Sequence, residues 1–197
     1  MSRLDETRPF IPVRIAVLTV SDTRALADDK SGDLLVSRLT EAGHELGARA
    51  IVHDDEVQII KALRGFIETA DIDCVIATGG TGLTGRDVTP EAFRAVFDKE
   101  IDGFGEMFRF LSFQKIGTST LQSRAVAGVA GGTYLFALPG SPSACKDAWD
   151  DLLVHQLDYR HRPCNFVEIM PGGSPFYFAS GDQIEDTQSA ISLTTLL

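Results

Sequence analysis

A glycine-rich turn that directly follows a short apolar run is the feature that most constrains how this chain can fold. The apolar run is residues 74–77 (CVIA), and the turn is residues 78–82 (TGGTG). In an open α/β sheet such a turn lies at the carboxyl end of a buried strand, where its backbone N–H groups can bind a phosphate or another anion. Alternatively, the glycines only permit a tight connection between a strand and a helix. With either interpretation the apolar run is a central strand.

Strands and helices alternate along the first half of the chain. β-Branched and apolar residues predict three strands, at 13–20, near 49–52 and at 73–78. Leucines and isoleucines at helical spacing predict a helix that begins near Ser31 and ends at Gly43, and a second helix at 57–67. This alternation predicts a mostly parallel sheet with helices on both faces.

The second half adds a hairpin and further helices. Thr89 is predicted to cap a helix that starts at Pro90, and the last helix is predicted at 143–157. Gly131 and Gly132 separate two β-rich runs, at 125–129 and 133–138, which is typical of a hairpin. The chain is therefore predicted to form a three-layer α/β/α sandwich with a mostly parallel central sheet and an antiparallel edge hairpin.

Length and charge limit the class of protein. The 197 residues, 44% of them hydrophobic, are enough for one domain with its own core. The formal net charge of −10 and the scattering of only 18 Lys and Arg residues argue against a protein that binds nucleic acid through its phosphates. We therefore expect an anion to be bound locally, by backbone amides and a few side chains.

The cysteines and the first residues indicate a compartment. Cys74, Cys145 and Cys164 lie far apart, in or near apolar segments, without a C-x-x-C pair, which is typical of buried thiols in a reducing environment. The first nine residues are polar and acidic, and no later run approaches the length of a membrane span. We predict a cytoplasmic protein that has no membrane partner.

Acidic residues follow the first two predicted strands. Ser21 and Asp22 end the first strand, and Asp54 and Asp55 end the second. Because the carboxyl ends of parallel strands meet at one edge of a sheet, we expect these side chains beside the glycine-rich turn. Carboxylates beside an anion-binding turn are electrostatically favourable only with a cation between them. Considered singly, Asp54 and Asp55 are each more typical of a solvated acidic turn, and Asp22 could simply form an Asx-type turn.

Three further residues have alternative roles. Asp87 either accepts bonds from helix amides or holds a hydrated Mg²⁺ against a phosphate. Ser141 is a natural cap for a helix N-terminus that could bind an anion. Arg124 could reach a phosphate or form a surface ion pair. The sequence contains neither a Walker A motif nor a dinucleotide fingerprint, and its four histidines lack metal-ligand spacing. No Ser/His/Asp or Cys/His set can be assigned, so covalent catalysis is unsupported.

Six short motifs occur in a fixed order along the chain. They are residues 29–32 (DKSG), 78–82 (TGGTG), 86–92 (RDVTPEA), 103–109 (GFGEMFR), 123–125 (SRA) and 138–142 (LPGSP). Together they resemble the MoaB/Mog molybdopterin-binding family, and the resemblance continues at 143–145 (SAC) and 162–166 (RPCNF). It covers residues 12–171, and an ordered set of this kind is far more specific than any one motif.

The resemblance implies a fold, an assembly and a reaction. The implied fold is an α/β/α sandwich that forms trimers or hexamers and binds molybdopterin. The implied reaction is transfer of AMP from Mg-ATP to the terminal phosphate of molybdopterin, with Mg²⁺ as cofactor and ATP as co-substrate. The implied site residues are Asp54 and Asp87 for Mg²⁺ and catalysis, Thr78, Gly79, Gly80, Thr81, Gly82, Ser141 and Arg86 for molybdopterin, and Ser21, Asp22, Ser31 and Gly32 for the nucleotide.

Two functional classes stay open at this point. The presence of both Asp54 and Asp87 favours an adenylyltransferase, which needs no general base because the substrate phosphate is already a nucleophile. The alternative is a pterin-binding carrier or an assembly scaffold without catalysis. One departure from the resemblance is His53, where related sequences commonly carry proline.

We expect three segments and a self-associating protein. The segments are an N-terminal extension at 1–11, a MoaB/Mog-like domain at 12–171 and a tail at 172–197, whose residues 176–178 (FYF) are expected to pack against a neighbouring surface. A predicted aromatic helix carries Phe104, Phe108, Leu111 and Phe113 on a face more apolar than one short helix needs. We expect that face to be covered in a symmetric homo-oligomer.

Overall fold

A six-stranded mixed sheet forms the centre of the protein in the computed structural model, which describes residues 3–170. The strands of this sheet and of a separate two-stranded one are, in chain order, β1 (Arg3–Leu4), β2 (Arg14–Val20), β3 (Glu45–Val52), β4 (Cys74–Thr78), β5 (Lys99–Glu100), β6 (Val126–Ala130), β7 (Thr133–Leu138) and β8 (His161–Arg162). The sheet order is β3-β2-β4-β7-β6-β5, and β1 pairs with β8 separately. β3, β2, β4 and β7 are parallel, whereas β6 and β5 are antiparallel. The predicted sheet and its antiparallel edge hairpin are confirmed.

Helices cover both faces of this sheet. They are α1 (Lys30–Glu41), α2 (Glu56–Ile67), α3 (Thr89–Arg94), α4 (Asp102–Ile116), α5 (Pro142–Ala148) and, after a π-helical segment at Trp149–Leu153, α6 (Val154–Gln156). Side chains of β2 alternate between the layers: Ile15 and Val17 pack in the core beneath α1, α4 and α5, and Ala16 and Leu18 pack beneath α2 and α3. The three-layer sandwich is thus confirmed. Within residues 3–170, no helix is both long and apolar enough to cross a membrane.

Two element boundaries differ from the predictions. β3 begins at Glu45 and not near Arg49, because it is the edge strand and its first residues are exposed, so they lack an apolar signal. The predicted cap at Thr89 is wrong: the N-cap of α3 is Val88, and no side chain caps this helix. The predicted cap at Ser141 is correct, since its hydroxyl accepts a bond from Ala144 N at the start of α5.

The aromatic residues of α4 divide between the core and the surface. Phe104 and Phe108 are buried, and the Phe104 ring lies 5.2 Å from that of Phe136. The predicted exposed face is therefore wrong for these two residues, because the helix turns them toward the sheet. The exposed apolar residues of α4 are Met107, Phe110, Phe113 and Ile116, which we call the α4 face.

The cysteines are free but differ in burial. Cys74 and Cys145 are buried, as predicted, and burial raises the pKa of the Cys145 thiol to about 11. Cys164 is exposed, so the prediction of a buried thiol is wrong there. Its position beyond α6, in a turn after β8, explains why it lies outside the two cores.

An N-terminal clasp joins the first described residues to the last. The Arg8 guanidinium lies 3.9 Å from the centre of the Tyr159 ring, donates to the Tyr159 carbonyl at 2.7 Å and pairs with Glu168 at 2.5 Å. Leu4 pairs with His161 between β1 and β8. Part of the predicted extension thus packs against residues 158–170. The predicted tail at 172–197, including 176–178, lies outside the described residues.

His44 is a buried imidazole between two aromatic rings. It is 5% exposed, and its ring lies 5.2 Å from Phe10 and 6.0 Å from Trp149. Its Nδ1 accepts a hydrogen bond from Val13 N at 3.2 Å. Burial lowers the pKa of His44 from 6.5 to about 4, so the side chain is neutral at pH 7.

We predict that His44 makes folding sensitive to mild acid. Its folded pKa lies below its unfolded pKa, so the unfolded chain binds the proton first and stability is lost as the pH falls from 6.5 toward 4. His44→Asn retains an acceptor for Val13 N and should remove about 3 kcal/mol of the loss between pH 7 and pH 4. Urea unfolding of both proteins at the two pH values measures this. Equal losses would contradict the assignment.

Candidate functional site

Loops at the carboxyl ends of four parallel strands form the candidate site. β3, β2, β4 and β7 are neighbours in the sheet, so the segments that follow them leave it at one edge. The loops after β2, β3 and β4 bring Asp22, Asp54 and the glycine-rich turn together, as predicted. The loop after β7 adds Gly140 to the same surface.

The first of two adjoining clefts has a volume of about 320 Å³. The predicted residues that line it are Ser21, Asp22, Asp54, Gly79, Gly80, Arg86 and Asp87. The wall is completed by residues that the sequence did not predict, namely Val20, Thr23, Arg24, Thr84 and Gly140. Carboxylates, a guanidinium and hydroxyls therefore face one space.

The second cleft has a volume of about 430 Å³. The predicted residues that line it are Gly80, Thr81, Gly82, Asp87 and Ser141. The additional residues are Ser119, Gln122, Ser123, Pro139 and Gly140. Gly80, Asp87 and Gly140 line both clefts, so the two spaces share a wall.

Three predicted site residues lie behind these walls. Thr78 is fully buried, and its hydroxyl donates to the Pro139 carbonyl at 3.0 Å. Ser31 is buried at the start of α1, and its hydroxyl donates to the Gly140 carbonyl at 2.8 Å. Gly32 N donates to Asp29 at 3.0 Å. The structure thus places these residues where they support the loops, and not among the residues that line either cleft.

Asp29 anchors the helix that carries Ser31. The carboxylate is fully buried, accepts a hydrogen bond from the Thr19 hydroxyl at 2.7 Å and pairs with Arg49 at 3.0 Å. Burial acts to raise the pKa of Asp29, but the bonds from Thr19, Gly32 and Arg49 outweigh it and lower the pKa. An ionised buried carboxylate therefore fixes the N-terminus of α1 beside the β7 loop.

Two glycines of the turn adopt backbone conformations that side chains disfavour. Gly79 has φ +108° and Gly80 has φ +61°. A Cβ on Gly79 would meet the Val20 carbonyl, and a Cβ on Gly80 would lie 2.7 Å from Asp54 Oδ1. Gly79 N donates to the Leu138 carbonyl at 3.0 Å. The glycines therefore allow the tight connection, and both of them also line the first cleft.

Asp54 is a carboxylate in an unfavourable electrostatic position. Burial raises its pKa, and the negative charges of Asp87 and Asp22 add to the rise. Its Oδ1 accepts a bond from Val88 N at 3.3 Å, and its backbone N–H donates to Asp22 at 3.1 Å. The preceding residue, His53, is exposed, and Asp54 lines the cleft. A cation here would relieve the repulsion.

Asp87 lies in a more favourable environment. Its Oδ2 accepts bonds from the Thr84 hydroxyl at 2.5 Å and from Thr84 N at 2.8 Å. The hydroxyl bond is the largest cause that lowers the pKa of Asp87. The carboxylate thus closes a turn with Thr84 and does not cap α3. It remains ionised in the wall between the clefts.

Three arginines near the site differ in exposure and in the partners that their guanidinium groups already have. Arg86 is at the rim, with a side chain that is 79% exposed and lies 3.9 Å from Asp22. Arg124 donates to the backbone of Gly82 and Asp87 and pairs with Glu91, so the ion-pair alternative is correct for it. The Arg24 side chain lines the first cleft. Among residues 3–170, its guanidinium donates only to neutral oxygens, on Gly140 at 3.2 Å and Ser31 at 3.4 Å.

The carboxylates fit a magnesium ion that is shared with a substrate. Within residues 3–170, no three His, Cys, Asp or Glu side chains lie together closely enough to bind a metal. Mg²⁺ requires no such cluster, since it is commonly held by one or two carboxylates together with water and substrate phosphates. Asp54 and Asp87 supply hard oxygen ligands in one cleft beside the glycine-rich turn. This donor set fits Mg²⁺ bound to a phosphorylated ligand.

The unpredicted site residues had different sequence signals. Arg24 follows Asp22 in the same polar turn, so the sequence already indicated that Arg24 lies close to the site. Ser119 and Gln122 lie in a 3₁₀ segment, Gly117–Gln122, after α4. Small polar residues between a helix and a hairpin are common in loops, so the sequence gives no reason to place them in a binding cleft.

A comparison with known protein families shows to which family this chain belongs. The profile of the family described as "Probable molybdopterin binding domain" matches residues 16–159, which include the residues that line both clefts. The chain belongs to this family. The resemblance of its sequence to MoaB/Mog proteins is therefore confirmed.

Curated relatives match most of the length of this chain. Molybdenum cofactor biosynthesis protein B of Escherichia coli (strain K12) is 54% identical over 157 residues, which cover 80% of this chain and 92% of the relative. The protein of the same name from Bacillus cereus is 45% identical over 75% of this chain and 88% of the relative.

Solved structures share the fold. A crystal structure of molybdenum cofactor biosynthesis protein B is 44% identical, with a TM-score of 0.74 over 76% of this chain and 94% of that chain. The tungsten cofactor synthesizing protein MoaB from Pyrococcus furiosus is 38% identical, with a TM-score of 0.65 over 72% of this chain and 91% of that chain. The sheet and the loops that form the clefts thus belong to a fold known from crystals.

We predict that Gly80→Ala destabilises the protein and that Gly85→Ala does not. The first change forces a side chain into φ +61° and against Asp54, whereas a Cβ on Gly85 has no atom within 4 Å. Backbone strain of this kind costs about 1–3 kcal/mol, and an exposed change without contacts costs less than about 0.5 kcal/mol. Urea unfolding of the two variants gives the comparison. Equal stability would refute the close packing around the turn.

Proposed function

We propose that this protein binds molybdopterin and transfers AMP to it from Mg-ATP. The observation that supports this most directly is the pair of clefts with a common wall. Transfer of a group between two substrates requires two adjoining subsites whose reacting atoms meet. Gly80, Asp87 and Gly140 line both clefts and mark the place where the substrates would meet.

The chemistry of the linings favours one assignment of substrates. The first cleft contains Asp22, Asp54 and Arg24, which suit a triphosphate with its cation, so ATP is assigned there. Apart from Asp87 in the shared wall, the side chains that line the second cleft are uncharged, among them Ser119 and Gln122, which can donate to a pterin ring and its phosphate, so molybdopterin is assigned there. The description of the matched family, a probable molybdopterin binding domain, agrees with a pterin ligand.

The proposed reaction is a displacement at phosphorus. An oxygen of the molybdopterin phosphate attacks the α-phosphorus of ATP and forms a new P–O bond. The bond from this phosphorus to the oxygen that bridges to the β-phosphate breaks, and pyrophosphate leaves. Because the nucleophile is an anionic phosphate, no side chain has to remove a proton.

The protein contributes position and charge. Asp54 and Asp87 would hold Mg²⁺ on the triphosphate, and charge developing on the departing pyrophosphate is neutralised by that ion when it is bound. Arg24, fixed by Gly140 and Ser31, would orient the nucleotide phosphates. The glycine-rich turn separates the two ligands only by backbone, which allows close approach.

Incubation of the purified protein with molybdopterin, ATP and Mg²⁺ tests the proposal. We expect adenylylated molybdopterin and an equal amount of pyrophosphate, measured by mass spectrometry and a pyrophosphate assay. Binding of molybdopterin without any product would support the alternative, a non-catalytic pterin carrier. Absence of both ligand binding and product would leave the assembly scaffold.

We predict that Asp54→Asn and Asp87→Asn each lower the adenylylation rate by roughly a hundredfold or more, because each removes a charge that acts on the transition state. Asp55→Asn is the matched control. Asp55 caps α2 through Gln58 N at 2.9 Å and does not line the first cleft, and asparagine caps helices almost as well. Steady-state rates of the three variants measure the effect. Wild-type rates in the first two would refute the assigned roles.

We also propose that the protein is a symmetric trimer or hexamer in which the α4 face is covered. Met107, Phe110, Phe113 and Ile116 recur every three residues along α4 and are 46–59% exposed. Clustered exposed apolar residues are typical of surfaces that contact another protein. A closed ring of identical chains would bury the same face on each copy.

We predict that Phe110→Asp dissociates this assembly, because it places a charge in a buried apolar contact. Val57→Asp is the control, since Val57 is 74% exposed on α2, outside the α4 face. Light scattering should give three or six times the mass of one chain for the wild type and the control, and a lower multiple for Phe110→Asp. A monomeric wild type at micromolar concentration contradicts the proposal.

A further inference from the structure

The hydroxyl of Thr89 is buried without a hydrogen-bond partner. Thr89 is the first residue of α3, is 0% exposed, and its Oγ1 lacks a partner among the described residues. The large majority of buried hydroxyls in proteins are hydrogen-bonded, because leaving one unpaired costs free energy of folding. Helix capping does not account for this threonine, since its side chain caps nothing. Neither capping nor another hydrogen bond among the described residues thus explains why a hydroxyl is buried here.

The Thr89 hydroxyl and the Asp54 carboxylate border the same space, the one that a side chain on Gly80 would fill. A Cβ placed on Gly80 would lie 2.7 and 3.0 Å from the two Asp54 oxygens and would also meet Thr89 Oγ1. Thr89 N donates to the Gly80 carbonyl at 3.0 Å, and the preceding Val88 N donates to Asp54 Oδ1 at 3.3 Å. The backbone thus already connects this threonine to the turn and to the carboxylate. The absent side chain of Gly80 leaves the space between them open.

We propose that Thr89 is a positioning residue that acts through Asp54. Its hydroxyl donates a hydrogen bond to the Asp54 carboxylate when Mg-ATP occupies the first cleft, an inference that rests on the proposed function. Val88 N and the Thr89 hydroxyl then hold the carboxylate by two donors from the start of one helix. With its orientation fixed in this way, Asp54 presents its remaining lone pairs to the ion.

This role predicts opposite effects on stability and on binding. In the ligand-free protein the unpaired hydroxyl contributes nothing favourable, so its replacement by the methyl group of valine should leave stability unchanged or raise it. In the complex the same replacement removes a hydrogen bond to a charged group. A purely structural threonine would behave differently, because its loss would lower stability first.

The variants Thr89→Val and Thr89→Ser separate these effects. We expect the ligand-free melting temperature of Thr89→Val to equal or exceed that of the wild type, while the Kd for Mg-ATP, measured by calorimetry, rises about tenfold or more. Thr89→Ser keeps the hydroxyl and should bind within about twofold of the wild type. Thr133→Val is the matched control: its hydroxyl is buried and donates to the Ile72 carbonyl at 3.2 Å, so this change should lower the melting temperature and leave the Kd unchanged.

A double-mutant cycle tests whether the effect passes through Asp54. In an Asp54→Asn background, Thr89→Val should raise the Kd much less than it does in the wild type. A full effect in that background would overturn the positioning role.

Two other results would also overturn it: wild-type affinity in Thr89→Val, or a melting temperature that falls together with affinity in that variant. In each of these cases the wild type binds Mg-ATP and the proposed function stands. Failure of the wild-type protein to bind Mg-ATP would instead overturn the proposed function, and the role of Thr89 with it.

Discussion

The close contact between the loops after β4 and β7 is the constraint on which both clefts depend. A Cβ on Gly140 would lie only 3.2 Å from the Cα of Gly79, so the two backbones touch. The Thr78 hydroxyl joins the same junction by its bond to the Pro139 carbonyl. Because β4 and β7 are parallel neighbours, this contact forms directly at the sheet edge. The wall between the two clefts forms here, where Gly80, Asp87 and Gly140 line both of them.

Negative charge is distributed unevenly along this wall. Asp87 is supported by two bonds from Thr84, whereas Asp54 is partly buried beside other carboxylates. Natural proteins keep such an unfavourable carboxylate mostly where a ligand compensates it. Asp29, by contrast, is buried with a full set of donors and has a structural role. Satisfaction by neighbours, more than burial alone, separates Asp29, whose pKa is lowered, from Asp54, whose pKa is raised.

Sequence patterns predicted those features that depend on local chemistry or on strand order. β4 was predictable because a strand covered on both faces is continuously apolar, and the Asp54 position followed from parallel topology. The start of β3 was not predictable, since an edge strand is half exposed. Ser119 and Gln122 reach the second cleft only through the path of the chain after α4. Thr89 was assigned as a cap because its sequence context fits one, while its side chain turns toward Gly80.

The N-terminal clasp formed by Arg8 limits where a tag or a fusion partner can be joined to the chain. Tyr159 and Val167, which belong to the larger core, lie in the segment that this arm covers, and Glu168 pairs with Arg8. Displacement of the arm would uncover the Tyr159 ring and remove the nearer of two cations from the Glu168 carboxylate, which is only 23% exposed and would keep Arg162 at 3.8 Å. The two ends of the described chain are therefore one structural unit. An affinity tag or fusion partner joined at residue 10 in place of the arm would disturb the far end of the domain as much as the near one.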